Sequence, residues 1–195
     1  STSALAAPGW GVTAAYPGDR VTSFSGTSAS APILAGSIAA VMSAKGLTAQ
    51  QAMGVIYQMT NEAGAAWPDH FTGSGALNLG RILQSDTPNV MDAAAASNFI
   101  MPPQTGASAQ VQVNIQNQGT ATLSNVPVTV TTPSGVTQIS VSSLAPGAVK
   151  SYNITLPNSL FANGQPVQVT TQIGMQDALP FNNVRTTTYS VPPAP

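Results

Sequence analysis

The chain has 195 residues, of which 43% are hydrophobic and only 6% are charged, where about 25% charged is usual for a soluble domain. Five Lys and Arg against six Asp and Glu give a formal net charge of -1, which argues against the basic surface that nucleic-acid binding requires. The absence of cysteine and the single histidine exclude a disulfide framework, a thiolate metal site and a multi-histidine metal site.

The first part of the chain predicts a long apolar helix. From Ala31 to Ala44 apolar and tiny residues dominate on every side, a pattern typical of a helix buried within a larger protein. Gly46 is placed to end this helix. No run of 18 apolar residues is free of turn formers and polar breaks, so the sequence predicts no transmembrane helix.

Two shorter helices follow. Thr48 with Gln51 forms a capping-box pattern and opens an amphipathic helix, whose apolar face is Ala52, Val55, Ile56 and Met59. A tight turn over residues 73–78 then leads to a short last helix near Leu79–Leu83.

The composition changes after residue 85. Pro88, four consecutive alanines and Pro102-Pro103 predict a linker over residues 86–104. Beyond it apolar and polar residues alternate, around residues 111–115, 126–130, 139–141, 152–156 and 167–169. Six or seven Val- and Thr-rich strands at this spacing predict an all-β, immunoglobulin-like sandwich over residues 105–195. Pro127 inside one run indicates an edge strand or a bulge.

The candidate nucleophile is Ser28, in the stretch Ser25-Gly26-Thr27-Ser28-Ala29-Ser30-Ala31-Pro32 before the apolar helix. A serine at this place is usually a helix cap, and that interpretation stays open. A nucleophilic serine gains from the first turn of a helix, because free N–H groups and the dipole stabilise the anion of a tetrahedral intermediate. Small neighbours also let a substrate backbone approach.

Several short motifs lie in a fixed order along residues 4–85, namely Ala7-Pro8-Gly9, Gly26-Thr27-Ser28, Pro32, Ala35-Gly36 and the glycine-rich stretch from Gly73 to Asn78. Together they closely resemble the nucleophile segment of the subtilisin-like serine peptidases, the subtilases. Ile33 stands where many members have a non-catalytic His, and Ala29 replaces a frequent Met.

The resemblance implies an α/β fold for residues 1–85, as the C-terminal portion of a subtilisin-like peptidase domain. It implies that Ser28 is the acyl-forming nucleophile and that its own backbone N–H donates to the oxyanion. Substrate contacts are expected at Gly26, Thr27 and Ala29, with Phe24, Ser25 and Ala29 facing the leaving group.

A nucleophilic serine needs a base and an orienting carboxylate, and in subtilases both precede it, in the order Asp, His, Ser. The residues before Ser28 include Asp19 but no histidine, and the first Asn of the chain is Asn61. His70 is predicted to be a solvated loop residue. We therefore expect this chain alone to be inactive, with the Asp and His on a missing upstream segment or a partner chain of the same precursor.

The second part carries a different resemblance. The stretch VQVNIQNQGTATLSNVPVTVTTPSG, together with Asp177 and Phe181-Asn182-Asn183, resembles CARDB-type domains, which are adhesion-related β-sandwiches, over about residues 105–191. Fibronectin-like sandwiches share the alternation. Asn182-Asn183 is predicted to form a turn, and a metal role for Asp177 with these asparagines is the alternative.

The sequence favours a secreted serine endopeptidase of the subtilase class that acts on a peptide or protein substrate. The alternatives are an extracellular structural or adhesive subunit, such as a surface layer or filament built on a subtilase scaffold, and a pseudo-peptidase. The nearly ion-free surface favours an extracellular location, with a cell-surface or self-assembly contact through the sandwich. No cofactor is identified; calcium is common in subtilases, but no ligand cluster here assigns it.

Overall fold

The computed structural model describes residues 5–66, 69–70, 72–162 and 164–190. A helical module, residues 5–85, precedes a β-sandwich of residues 93–189, hereafter the sandwich. In chain order the elements are β1 (Val12–Tyr16), β2 (Arg20–Phe24), α1 (Thr27–Lys45), α2 (Ala49–Gln58), α3 (Leu79–Leu83), β3 (Ala93–Met101), β4 (Ala109–Asn117), β5 (Leu123–Thr132), β6 (Gly135–Leu144), β7 (Val149–Leu156), β8 (Val167–Ile173) and β9 (Val184–Tyr189), with 3-10 helices at Asn158–Phe161 and Pro180–Asn182.

Helix α1 is longer and more exposed than predicted. It ends as expected at Gly46, which adopts the left-handed conformation at φ 64°. Its buried residues are Ala29, Ser37 and Val41, so the described residues do not cover it on all sides. Its length and apolar composition would also allow it to cross a membrane, although it packs against α2 and α3.

The remaining helices confirm their predictions. The capping box is present, because Thr48 Oγ1 accepts from the Gln51 N–H while Gln51 Oε1 accepts from the Thr48 N–H. Helix α3 begins after Asn78, whose Oδ1 accepts from the Arg81 N–H. One small core joins the three helices, formed by Val41, Ala52, Ile56 and Ile82. The hairpin β1–β2 is antiparallel, and the described part of the helical module contains no parallel sheet.

The sandwich consists of two antiparallel sheets, with strand orders β3-β4-β7 and β6-β5-β8-β9. The alternating apolar residues of the sequence point into a single core between the sheets, as predicted; its most buried members are Val111, Val113, Ile115, Val126, Val128, Val130, Val141, Leu144, Leu156, Val167 and Val169. The predicted sandwich of six or seven strands is therefore confirmed, with seven.

The predicted linker over residues 86–104 is wrong for residues 93–101, which form strand β3 paired to β4. Ala93 and Ala95 belong to the sandwich core. Ala94 and Ala96 are also buried, and together with residues 61–63 of the helical module they line a cavity of about 300 Å³. Four alanines in a row resemble a linker, but here their small side chains let two parts of the protein approach one strand from both faces.

Pro127 lies in β5, which is an interior strand and not an edge strand. The pairing of β5 with β8 begins only at Val128, so the missing N–H of Pro127 interrupts no bond of that ladder. The Pro127 carbonyl instead accepts from the Gly174 N–H at 2.8 Å, just beyond the end of β8.

Asn98 of β3 joins the two sheets. Its Nδ2 donates to the carbonyls of Val169 and Arg185 at 3.2 and 3.1 Å. Its Oδ1 accepts from Thr171 Oγ1 at 2.6 Å. Because β3 and β9 border different sheets, this buried amide links them, together with the bond from Arg185 Nε to the Ala95 carbonyl at 2.9 Å.

Replacing Asn98 by Ala will destabilise the sandwich strongly, because two buried polar groups and the half-buried Arg185 carbonyl lose their partner. We expect a loss of about 3 kcal/mol in the free energy of unfolding, measured by urea titration. The control is Asn153→Ala, at an exposed position of β7. Its free energy of unfolding will change by no more than about 0.5 kcal/mol. Equal losses in the two variants would contradict a specific role for Asn98.

Candidate functional site

Ser28 lies in the first turn of α1 and is exposed. The residue that precedes the helix as N-cap is Gly26, at φ 132° and ψ 172°, and no side chain caps this end. The interpretation of Ser28 as a helix cap is therefore wrong. Among the described residues no hydrogen bond engages the Ser28 hydroxyl, which leaves its oxygen available.

The backbone around Ser28 is also open. The first N–H groups of a helix have no partner within it, and at this end only the Ala29 N–H reaches back, to the Gly26 carbonyl at 2.9 Å. Pro32 lies inside the helix and has no N–H for the Ser28 carbonyl four residues earlier. Gly26 has a positive φ that other residues rarely adopt, so this turn carries no bulky side chain.

The predicted substrate contacts surround Ser28 along the chain. Gly26 and Thr27 are exposed, whereas Ala29 is only 4% exposed and faces the interior. On the predicted leaving-group side, Ser25 is exposed and Phe24 is 45% exposed.

The predicted partners of a triad are not assembled around Ser28. Asp19 is exposed at the tip of the β1–β2 hairpin, at φ 52°. His70 is exposed as well. Neither is hydrogen-bonded to Ser28 in the described part of the chain, so the arrangement supplies an accessible hydroxyl without a base.

Several large apolar side chains of the helical module are exposed. On the hairpin and the segment before it, Trp10 is 89% exposed, Val21 75% and Tyr16 51%. Tyr16 pairs with Arg20 and Ala15 with Val21, so Tyr16 and Val21 lie on opposite faces of the hairpin. With Phe24 and the uncovered sides of α1, these residues give the helical module exposed apolar surface on more than one side.

A second polar centre joins the helical module to the sandwich, through the outward face of β4. Its side chains Gln112, Asn114 and Gln116 alternate with the core residues. With Gln118, just past the end of the strand, we call them the amide ladder. Gln112 and Gln116 accept from the backbone N–H groups of Ala66 and Glu62, and Gln116 and Asn114 donate to the carbonyls of Thr60 and Gly64. Gln118 accepts from the Asn61 side chain.

Two buried charges lie at the edge of this interface. Arg81 Nη1 donates to the Thr60 carbonyl at 2.8 Å and to the Met59 carbonyl at 3.2 Å, at the carboxyl end of α2, where a cation is favourable. Burial lowers the pKa of Arg81, and the nearby Asp92 partly opposes this. Both line a cavity of about 20 Å³.

Asp92 is 2% exposed. Burial raises the pKa of its carboxyl above the ordinary range, whereas the hydrogen bond from Asn182 lowers it; Asp177 raises it and Arg81 lowers it to a smaller extent. The bond from Asn182 Nδ2 to Asp92 Oδ1 is 2.8 Å long, so Asn182 of the sequence motif holds a buried acid.

Asp177 and Asn183 have structural partners. Asp177 accepts from the N–H groups of Ala93 and Leu179 and from Asn183 Nδ2. Asn182 ends a 3-10 helix and Asn183 caps it, which agrees with the predicted turn. No group of three or more His, Cys, Asp or Glu side chains among the described residues could hold a metal ion.

Sequence reasoning missed the amide ladder, Arg81 and Asp92. The signal for the ladder was present, because VQVNIQNQ places only amides on the outward face of β4, where a solvated strand usually carries varied polar residues. Arg81 and Asp92 gave no local signal, since their burial arises only from the docking of the two parts.

Comparison with known proteins assigns the second part of the chain. The CARDB family profile matches residues 97–178. These residues are a CARDB domain. The domain boundary therefore lies earlier than the predicted residue 105, in agreement with β3. The Asn117-Gln118-Gly119 turn of the CARDB resemblance is tightly packed, because a Cβ on Gly119 would lie 2.2 Å from the Val90 carbonyl oxygen.

No curated protein matches the sequence of the chain. Among solved structures, a domain described as part of a cell surface protein of Methanosarcina acetivorans shares 17% identity at a TM-score of 0.41, covering 52% of this chain and 92% of that one. β-Glucosidase 3B of Thermotoga neapolitana shares 18% identity at a TM-score of 0.31, over 52% of this chain and 16% of the enzyme. A β-glucosidase of intestinal bacteria involved in saponin metabolism shares 16% identity at 0.31, over 74% and 21%.

The buried Asp92 predicts a pH dependence. A carboxyl whose pKa is raised in the folded state costs no stability below its unfolded pKa, and its cost develops as the pH rises through the raised folded value. The stability of the wild type relative to the Asp92→Asn variant will therefore fall between pH 4 and pH 7. Urea titrations of both proteins at the two pH values measure this difference, and a difference that is constant or of opposite sign would contradict it.

Proposed function

We propose that the protein is a secreted serine endopeptidase of the subtilase class, in which this chain supplies the nucleophile Ser28. The Asp and His of the triad belong to an upstream segment, or to a partner chain of the same precursor. Residues 1–85 are then the C-terminal portion of a subtilisin-like α/β domain, and the CARDB domain follows it.

One observation carries the proposal. Two of the motifs that give the subtilase resemblance, Ala7-Pro8-Gly9 and Gly26-Thr27-Ser28, are far apart in the sequence but hydrogen-bonded to one another. The Gly26 N–H donates to the Gly9 carbonyl at 2.7 Å. The contact places the exposed Ser28 hydroxyl at the end of a 19-residue helix, where a developing oxyanion is stabilised.

In this function Ser28 Oγ attacks the carbonyl carbon of the substrate peptide, and the upstream histidine takes its proton. The Ser28 backbone N–H donates to the oxyanion. Collapse of the intermediate breaks the C–N bond, and the histidine passes the proton to the leaving amine. Water then hydrolyses the acyl ester on Ser28 and regenerates the hydroxyl.

The apolar surface around Trp10, Val21 and α1 supports the same proposal. An upstream part of the peptidase domain would cover it, because a helix that is apolar on every side is stable when enclosed. The low charge of the chain, 6%, suits an extracellular protein.

An extracellular structural or adhesive subunit is the second candidate. The CARDB domain at residues 97–178 favours it, since the sequence resemblance is to adhesion-related sandwiches. In that case the apolar surface of the helical module would bind further subunits, and Ser28 would carry no reaction.

The native protein will react with a biotinylated fluorophosphonate at Ser28, because the assembled triad activates this hydroxyl alone. Mass spectrometry of the labelled peptide identifies the serine. The Ser28→Ala variant will not be labelled, whereas Ser140→Ala, at an exposed position of β6, will be labelled as the wild type is.

The 195-residue chain expressed alone will not be labelled, since its described residues place no base beside Ser28. A folded native protein that stays unlabelled would refute the peptidase and favour the structural subunit. Labelling of the isolated chain would instead refute the need for an upstream His.

A further inference from the structure

The inference concerns Ser30, two residues after the nucleophile, and it rests on the proposed function. Ser30 Oγ donates to the Ala7 carbonyl at 3.1 Å, a residue that lies 23 positions earlier in the chain. The bond fastens the Ala7-Pro8-Gly9 segment to the first turn of α1, on the side of the helix that faces the interior.

A serine inside a helix usually bonds within the helix, to the carbonyl four residues before it. Ser37 of the same helix does so, with its Oγ on the Ile33 carbonyl at 2.8 Å. Ser30 instead bonds to a different segment, so its hydroxyl holds two parts of the chain together.

Gly9 shows how closely these parts approach. A Cβ on Gly9 would lie 2.4 Å from Ser30 Oγ and 3.1 Å from the Gly26 carbonyl oxygen. Gly9 is not among the residues with positive φ, so its backbone conformation does not demand glycine. Position 9 requires glycine because there is no space for a side chain, and Ser30 Oγ is the atom that fills that space.

The same segment is tied to the turn on the other side of Gly9. The Gly26 N–H donates to the Gly9 carbonyl at 2.7 Å, and the Gly11 N–H donates to Ser25 Oγ at 2.9 Å. Three hydrogen bonds, one accepted by Ser25 and two donated by Gly26 and Ser30, therefore surround the backbone that carries Ser28.

We propose that Ser30 is a positioning residue of the peptidase: its hydroxyl, packed against Gly9, fixes the turn from Gly26 to Ser28 and thereby the direction of Ser28 Oγ and its N–H. Ser30 does not touch the substrate. Displacing a reacting group by about 1 Å can cost on the order of 100-fold in rate, so a loosened turn slows acylation even when the fold persists.

The test measures the second-order rate of fluorophosphonate labelling at Ser28 in the native protein. The labelling rate of the Ser30→Ala variant will fall roughly tenfold or more. The control is Ser37→Ala, which removes a buried serine hydroxyl from the same helix and will react within about twofold of the wild type. An unchanged rate in Ser30→Ala would overturn the proposal.

A double-mutant cycle tests whether Gly9 and Ser30 act through one contact. Gly9→Ala places its new methyl group against Ser30 Oγ and will also slow labelling. Removing that oxygen in Gly9→Ala/Ser30→Ala relieves the clash, so the double variant will react no more slowly than Gly9→Ala alone. Multiplicative losses would show two independent effects and contradict a shared contact.

Amide hydrogen exchange separates this inference from the proposed function. In the native protein the Gly26 N–H, which bonds to Gly9, will exchange roughly tenfold faster in Ser30→Ala and at an unchanged rate in Ser37→Ala. If the wild type is never labelled, the peptidase proposal fails; faster exchange would still support the fixed turn, and unchanged exchange would refute it.

Discussion

The arrangement of the whole molecule depends on the amide ladder of β4. The strand presents Val and Ile to the sandwich core and Gln or Asn on its other face, where residues 60–66 of the helical module lie. This segment forms neither helix nor strand, so its backbone N–H and C=O groups need partners elsewhere. An amide side chain both donates and accepts without carrying charge, which suits an interface with unpaired backbone N–H and C=O groups.

The ladder also connects the sandwich to the neighbourhood of Ser28. Asn61 exchanges backbone hydrogen bonds with Ala76, and Ala6 does so with Gly75 and Leu77. The segment that begins at Ala6 continues to Gly9, which contacts the turn of Ser28. The CARDB domain is thus hydrogen-bonded to the helical module and helps to hold its residues 60–66 in place.

Much of the fold was predictable because it depends on local patterns. The alternation of Val with polar residues predicted the sandwich strands, and Thr48 with Gln51 predicted the start of α2. Strand β3 was missed because its alanines lack the β-branched side chains that identify a strand. Their burial on both faces depends on the approach of residues 61–63, which no local pattern encodes.

The sequence motifs identified candidate residues for the site but not their contacts. The choice of Ser28, Gly26 and Thr27 as site residues followed from the motifs of the sequence, and their roles stay predictions. The role of Ser30 did not, because a hydroxyl that bonds to Ala7 is indistinguishable in sequence from one that bonds within its own helix. Arg81 and Asp92 were missed for the same reason, since tertiary docking alone buries them.

The most direct measurement is the amide hydrogen exchange of the core residues Ile56 in α2 and Val128 in β5, in the Gln112→Ala/Gln116→Ala variant. If the amide ladder holds the helical module, exchange at Ile56 will rise roughly tenfold or more while Val128 keeps its protection. The control is Gln168→Ala at an exposed position of β8, which will change neither. Unchanged protection of Ile56 in the double variant would contradict the account.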